Sequence, residues 1–203
     1  MLEDPRSRNQ LFPLLSIETH TRGYAEALSK AIVSVDWMEL DRAISAILDL
    51  RALRRSLWVA GNGGSAAIAD HLLCDWMKGT YTPSEPSILV RSLVACTAML
   101  TAVANDFSYE DSFSRQLEMQ GQAGDLLLTI SSSGNSANIL SAIRQAKTMG
   151  IATIALTGFN GGEASKLADI SIHVAASNYG VVEDCHQALM HNIAQYIHGN
   201  YAH

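Results

Sequence analysis

The sequence predicts an α/β domain whose parallel sheet is covered by helices on both faces. Three observations favour this class: short continuous apolar segments, helical patterns that alternate with them, and turns rich in glycine, aspartate and serine. Strands buried on both faces read as continuous apolar runs, and strands that alternate with helices are typical of parallel sheets. No repeat, low-complexity segment or linker interrupts the series. Residues 1–203 are therefore expected to form one domain.

Two helices are predicted ahead of the first strand. Apolar residues recur at helical spacing in residues 17–33 and again in residues 37–54. We expect residues 1–54 to form an N-terminal helical extension and residues 55–203 to form the α/β core.

Five strands are predicted in the core, each a short apolar run followed by a turn or a helical pattern. They are expected near residues 57–60, 88–93, 126–130, 151–156 and 170–174.

Composition excludes several classes of partner. The chain has 203 residues, a formal net charge of −6 and a pI near 5.6, so nucleic acid is not expected to bind it. The first ten residues, MLEDPRSRNQ, lack the apolar centre of a secretory signal, and no apolar run is long enough to span a membrane. A cytoplasmic protein is expected.

Three cysteines without a C-x-x-C pair indicate buried thiols more than disulfides.

A glycine-rich turn follows the first predicted strand, in the segment WVAGNGGSAAIADHLLCDWMKG of residues 58–79. At such a turn, backbone N–H groups at the start of a helix can face an anion or a polar ligand. Further along the same helix, His71 and Asp75 are four residues apart and share one face, so they could bind one metal ion. Taken alone, the pair is more often a solvated polar pair.

A serine-rich turn follows the third predicted strand, in the segment LLLTISSSGNSANIL of residues 126–140. Its hydroxyl groups and the N–H groups at a helix start could bind a phosphate without lysine. The alternative is an ordinary loop in which Ser136 caps a helix that runs to about Met149. Neither a Walker A loop nor a GxGxxG fingerprint occurs, so ATP and NAD are disfavoured.

Four motifs together resemble those of the SIS (sugar isomerase) domain family, in the branch of the phosphoheptose isomerases. They are GNGGSA, SSSGNSANI, ALTGFNGGEASKLADI and EDCHQALMH, in this order. The resemblance implies a flavodoxin-like three-layer sandwich with a five-stranded parallel sheet and a homotetramer with sites between subunits. It also implies conversion of sedoheptulose 7-phosphate to D-glycero-D-manno-heptose 7-phosphate, in heptose biosynthesis for lipopolysaccharide.

The resemblance also implies roles for individual residues. The metal ligands would be His71, Asp75, Glu183 and His191, with zinc as the expected ion, and Asp75 and His191 would also be catalytic. The substrate-binding residues would be Asn62, Gly63, Ser65, Asp106, Ser131, Ser132, Ser133 and Ser136. The best-known pattern has glutamate in place of Asp75 and glutamine in place of Glu183. Two imidazoles and two carboxylates remain a sound donor set for zinc.

Helix geometry leaves two candidates for the fourth metal ligand. Glu183 and His191 are eight residues apart, a rise of about 12 Å on one straight helix. Glu183 is therefore expected at or just before the helix start; otherwise Gln187, one turn before His191, is the more natural ligand. His186 points to a different side of the helix and is expected to be an interior histidine or to line another surface.

The chemistry that these residues could perform is aldose–ketose isomerisation through an enediol, with His191 and Asp75 as proton-transfer groups. A metal could polarise the oxygens of the open-chain sugar, and no hydride cofactor is required. Two alternatives stay open. The chain could be a non-catalytic SIS module that binds a sugar phosphate or a protein, or an isomerase of a different ketose phosphate.

Overall fold

Five parallel strands form the centre of this computed structural model, which describes residues 9–201. The strands are β1 (Ser56–Gly61), β2 (Leu89–Ser92), β3 (Leu126–Ser131), β4 (Ala152–Thr157) and β5 (Ile170–His173). They lie in the spatial order β2, β1, β3, β4, β5, which confirms the predicted parallel sheet. Residues 1–8 and 202–203 lie outside the described residues. Most of the first ten residues, which are expected to lack a secretory signal, therefore lie outside them as well.

Eight helices are described, and the two predicted before β1 are among them. They are α1 (Ile17–Ile32), α2 (Trp37–Ala52), α3 (Gly64–Gly79), α4 (Thr97–Asp106), α5 (Ser114–Gln120), α6 (Ala137–Thr148), α7 (Ala164–Leu167) and α8 (Tyr179–Tyr201). Ser16 and Asp36 cap α1 and α2 through their side chains, which accept hydrogen bonds from backbone N–H groups left free at a helix start. Between residues 9 and 201, no helix has the length and apolar character needed to cross a lipid bilayer.

Helices cover both faces of the sheet, as predicted. Side chains on a strand alternate between its two faces, and β1 divides accordingly. Leu57 and Val59 join a hydrophobic cluster with α2, α3 and α8, whereas Trp58 and Ala60 join a second cluster with α5 and α6. α1 packs against α8 on the outside of the first layer. The result is a three-layer α/β sandwich with two cores.

The order of the strands creates a switch point between β1 and β3. After β1 the chain passes through α3 and moves outward to β2; it then returns to β3 on the other side of β1 and continues outward to β5. The turns that follow β1 and β3 therefore leave the sheet side by side, at its carboxyl edge. Crevices at this place are the usual ligand sites of open parallel sheets.

The three cysteines differ from the prediction. Cys185 on α8 is buried, as expected, but Cys74 and Cys96 are exposed. Cys74 lies on α3 outside the stripe that Leu72 and Trp76 bury in the core, and Cys96 lies just before the start of α4. The prediction of buried thiols is therefore wrong for two of the three positions, since residue type alone does not decide which helix face meets the core.

A buried aspartate joins the amino ends of β1 and β3. Asp125 is 2% exposed and accepts hydrogen bonds from the Ser56 N–H at 3.0 Å, the Trp58 indole N–H at 2.9 Å and the Gln122 N–H at 3.1 Å. Hydrogen bonds to a carboxylate are stronger than those between neutral groups. The start of the central strand pair is thus held by one side chain.

Replacing Asp125 with alanine is expected to lower the free energy of unfolding by about 3 kcal/mol, because buried N–H groups would lose their acceptor. Urea denaturation of Asp125→Ala beside Asp49→Ala, an exposed aspartate on α2, measures this loss. Equal stability of the two variants would contradict the anchoring role.

Candidate active site

The glycine-rich turn after β1 and the serine loop after β3 enclose a cavity of about 170 Å³. The lining residues are Asn62, Ser65, Ile130, Ser131, Ser132, Ser133, Ser136, Tyr179 and Glu183. All the serines predicted to bind substrate therefore line one cavity, together with Asn62. Gly63 and Asp106, which were predicted with them, do not line it: Gly63 precedes α3, and Asp106 is exposed at the end of α4.

The hydroxyl groups of the serine loop differ in how they are used. Ser131 Oγ accepts a hydrogen bond from the Gly134 N–H at 3.2 Å, and Ser133 Oγ accepts one from the Asn135 N–H at 3.3 Å. Ser132 is 5% exposed, yet its hydroxyl has no hydrogen-bond partner among residues 9–201. Burying a hydroxyl group without a hydrogen-bond partner costs free energy. A ligand atom that accepts a hydrogen bond from Ser132 would remove this cost.

Ser136 lies at the predicted cap position of α6 but does not cap it through its side chain. It is the residue before the helix, with extended backbone angles, and its hydroxyl makes no capping hydrogen bond. The helix continues to Thr148, close to the predicted end. The Ser136 hydroxyl and the first N–H groups of α6 therefore stay available beside the cavity.

The cavity contains no cation among its described lining residues, but it does contain a carboxylate. Burial, and secondarily the nearby charge of Asp184, raises the pKa of Glu183. The Glu183 carboxylate packs directly on Gly64, and a β-carbon at position 64 would collide with it. The glycine at the start of α3 thus makes room for a side chain of α8.

A second cluster of polar side chains joins α3 and α8. His191 Nδ1 lies 3.1 Å from Asp75 Oδ2, while Gln187 Nε2 lies 2.9 Å from His71 Nδ1 and 3.0 Å from His191 Nε2. One ligand atom from each of His71, Asp75 and His191 lies within 4.8 Å of the others. Two imidazole nitrogens and a carboxylate oxygen at this spacing are a donor set that suits zinc.

The structure separates Glu183 from this cluster. α8 begins at Tyr179, so Glu183 lies inside the helix, and the expectation that it sits at or before the helix start is wrong. Gln187, the alternative, contacts both imidazoles, whereas Glu183 lies one turn earlier, at the serine cavity.

His186 is an interior histidine, as one reading of the sequence predicted. It is 0% exposed, and its Nε2 lies 3.2 Å from the carbonyl oxygen of Thr157 at the end of β4. Since a carbonyl can only accept, Nε2 carries the proton. The Nδ1 atom has no partner in the described part of the chain. Burial lowers the pKa of His186 to about 4, so the ring is neutral.

Sequence reasoning missed Tyr179 as a residue of the cavity. Its ring lies against that of Phe159, with 4.7 Å between the ring centroids, and it lines the cavity from the first residue of α8. Nothing in the local pattern marks it, because its position depends on the loop after β4 meeting the start of α8.

Comparison with known proteins points to the same family as the sequence motifs. The SIS domain family matches residues 22–158. A phosphoheptose isomerase of Sulfurimonas denitrificans is 45% identical over 139 residues, which are 68% of this chain and 71% of that protein. One of Helicobacter pylori strain P12 is 33% identical over 187 residues, 92% and 96% of the two chains. The structure of phosphoheptose isomerase from Neisseria gonorrhoeae has a TM-score of 0.81 and 29% identity, and the match covers 90% of this chain and 98% of that chain.

Stability is expected to depend on pH through His186. The folded state resists protonation of the buried ring down to about pH 4, whereas the unfolded chain takes up the proton near pH 6.5. Between pH 4 and pH 6.5 the unfolded state therefore binds more protons than the folded state. The neutral His186 ring contributes roughly 3 kcal/mol to the free energy of unfolding, and this contribution is lost as pH falls from 6.5 to 4.

Urea denaturation at several pH values tests this with His186→Gln, and with His198→Gln at an exposed position of α8 as the control. The wild-type protein and the control should lose stability relative to His186→Gln as pH falls. Parallel pH profiles for all three proteins would contradict the assignment.

Proposed function

Because this chain belongs to the SIS domain family, in the branch of the phosphoheptose isomerases, we propose that it converts sedoheptulose 7-phosphate to D-glycero-D-manno-heptose 7-phosphate. One observation carries the proposal: α3 and α8 each contribute both to the serine cavity and to the histidine cluster. Ser65 and Glu183 line the cavity, and His71 and Gln187 follow them on the same two helices. A phosphate site and a proton-transfer site thus share two helices.

The serine cavity supplies the phosphate site. Its donors are hydroxyl groups and backbone N–H groups at the positive end of α6, and each can donate to a phosphate oxygen. The Ser132 hydroxyl, which has no partner among residues 9–201, and the Ser136 hydroxyl, which makes no capping hydrogen bond to α6, support this role. Glu183 adds an acceptor, which suits a sugar hydroxyl group rather than the phosphate itself.

His191 and Asp75 supply the proton transfer. The amide nitrogen of Gln187 can only donate, so His191 Nε2 carries a lone pair and His191 Nδ1–H donates to Asp75. In this tautomer, and while no ion is bound to Nε2, that atom can take a proton from the carbon beside the carbonyl and return it to the neighbouring carbon of the enediol. Asp75 orients the ring and stabilises the imidazolium that forms.

His71, Asp75 and His191 would hold a divalent metal, and we propose zinc. When bound, such an ion would polarise the carbonyl and hydroxyl oxygens of the open-chain sugar. Gln187 is the fourth side chain in contact with the cluster, and its N–H groups now occupy the imidazole lone pairs that an ion would take. The side chain must turn for an ion to bind, which would bring its carbonyl oxygen within reach. Glu183 as a ligand stays a prediction.

We further propose a cytoplasmic homotetramer with its sites between subunits, by analogy with the family. Large apolar side chains before and at the start of α1 are exposed in the single chain, which supports association. Leu11, Leu14, Leu15 and Ile17 are each more than 80% exposed. Burial against another subunit would remove this surface from water.

Purified protein is expected to convert sedoheptulose 7-phosphate to the aldose, and Ser132→Ala is expected to raise KM by about 10- to 100-fold, because one hydrogen bond to a charged phosphate is lost. A coupled assay for the aldose product, beside Ser29→Ala at an exposed position of α1, measures both effects. An unchanged KM would contradict the phosphate site. Tight binding of the sugar phosphate without turnover on any ketose phosphate would instead favour a regulatory SIS module.

Elemental analysis should find about one divalent ion per chain, and His71→Ala should lose most of it, because the remaining donors bind less tightly. Gln187→Ala is expected to weaken metal binding more than Glu183→Ala, since only Gln187 contacts the imidazoles. Titration with Co²⁺, followed by its visible absorption, compares the variants. The reverse order would assign the fourth ligand to Glu183, and metal-free protein with full activity would refute the metal role.

A further inference from the structure

Two asparagine side chains connect the turn after β1 with the first turn of α6. Asn62 Nδ2 donates to Asn138 Oδ1 at 2.8 Å, and Asn138 Nδ2 donates back to Asn62 Oδ1 at 2.9 Å. Two hydroxyl groups extend the pair: Asn138 Nδ2 also donates to Ser112 Oγ at 3.2 Å, and the Tyr109 hydroxyl donates to Asn62 Oδ1 at 2.8 Å. Asn62 is thus held by both the Asn138 side chain and the Tyr109 hydroxyl.

Asn138 has no access to a ligand of its own. It is 2% exposed and does not line the serine cavity, and Ser112 behind it is 0% exposed. Asn62 is half-buried and does line the cavity. Any effect of Asn138 on a bound molecule must therefore pass through the Asn62 side chain.

The hydrogen bonds of the Asn62 side chain determine which donors and acceptors it can still offer to the cavity. A carboxamide has two N–H donors and an oxygen with two lone pairs. The Asn62 oxygen is saturated by Asn138 and Tyr109, while the nitrogen uses one of its two N–H groups for Asn138. The second N–H group of Asn62 has no partner among the residues that the structure describes. Both N–H groups of Asn138 are used, so Asn138 itself cannot turn over without losing hydrogen bonds to Asn62 and Ser112.

We propose that Asn138 and Tyr109 are positioning residues, which hold Asn62 so that it offers the cavity a single N–H donor and no acceptor. The ligand atom at this place would be an oxygen that accepts, such as a carbonyl or phosphate oxygen of the sugar phosphate. The inference rests on the proposed function for the identity of the ligand. A hydrogen-bond network that fixes the orientation of an amide lets the site discriminate an acceptor from a donor, because the wrong group would leave a polar atom unpaired.

A double-mutant cycle tests the proposal with sedoheptulose 7-phosphate as the substrate. Asn62→Ala and Asn138→Ala should each raise KM at least 10-fold, with a smaller change in kcat. In the Asn62→Ala background, Asn138→Ala should raise KM less than twofold, because the side chain that it positions is already gone. Asn138→Asp keeps the volume but exchanges a donor for an acceptor, and it should raise KM like Asn138→Ala.

Tyr109→Phe tests the positioning of Asn62 independently, in case changes at the buried Asn138 impair folding. Tyr109 is 58% exposed, so loss of its hydroxyl leaves the core unchanged. This variant should raise KM about threefold in the wild-type background and leave KM unchanged in Asn62→Ala.

The outcomes separate the inference from the proposed function. If the wild-type protein turns over the substrate but the effects on KM multiply independently, Asn138 and Tyr109 have a structural role only and the inference is overturned. If the wild-type protein shows no turnover, the proposed function fails, and the same cycle is measured by calorimetric binding of the sugar phosphate. Independent effects on Kd, or no binding by the wild-type protein, would then overturn the inference.

Discussion

The pairing of β1 with β3 is the constraint on which the rest of the site depends. The two strands run in register from Leu57 opposite Leu126 to Gly61 opposite Ile130, and so they end together. The chain then leaves β1 into α3 on one face of the sheet and leaves β3 into α6 on the other. Two turns that are far apart in sequence therefore open side by side, and the crevice between them becomes the serine cavity. Asp125 holds the opposite end of the same strand pair.

α8 is the second determinant of the site, because it meets both groups of functional residues. Glu183, Gln187 and His191 follow one another at four-residue spacing and thus lie along one side of the helix. His186 faces inward and donates to the carbonyl of Thr157, which ties the helix to the carboxyl end of β4. The position of this one helix along its axis decides which side chain meets the serines and which meets the imidazoles.

Neutral donors, rather than cations, dominate the cavity. Hydroxyl groups, the amide of Asn62 and the first N–H groups of α6 can each donate to an anion without a lysine or arginine among the described lining residues. Neutral donors are directional, so their geometry has to be held in place. The paired amides of Asn62 and Asn138 and the hydrogen bonds within the serine loop do this. Anion binding in this cavity therefore depends on the orientation of its donors more than on positive charge.

The sequence by itself determined the α/β class, the five strands, both N-terminal helices, and the grouping of Asn62 with the serines of the phosphate loop. The class, the strands and the helices follow from local periodicity, whereas the grouping of Asn62 with the serines was implied by the resemblance of the motifs to the SIS family. Only the tertiary structure decided that Gln187 contacts the imidazoles while Glu183 turns to the cavity, that Tyr179 lines the cavity, and that two of the cysteines are exposed. Each of these depends on where a helix starts and how it is rotated against the sheet, and packing between distant segments sets both.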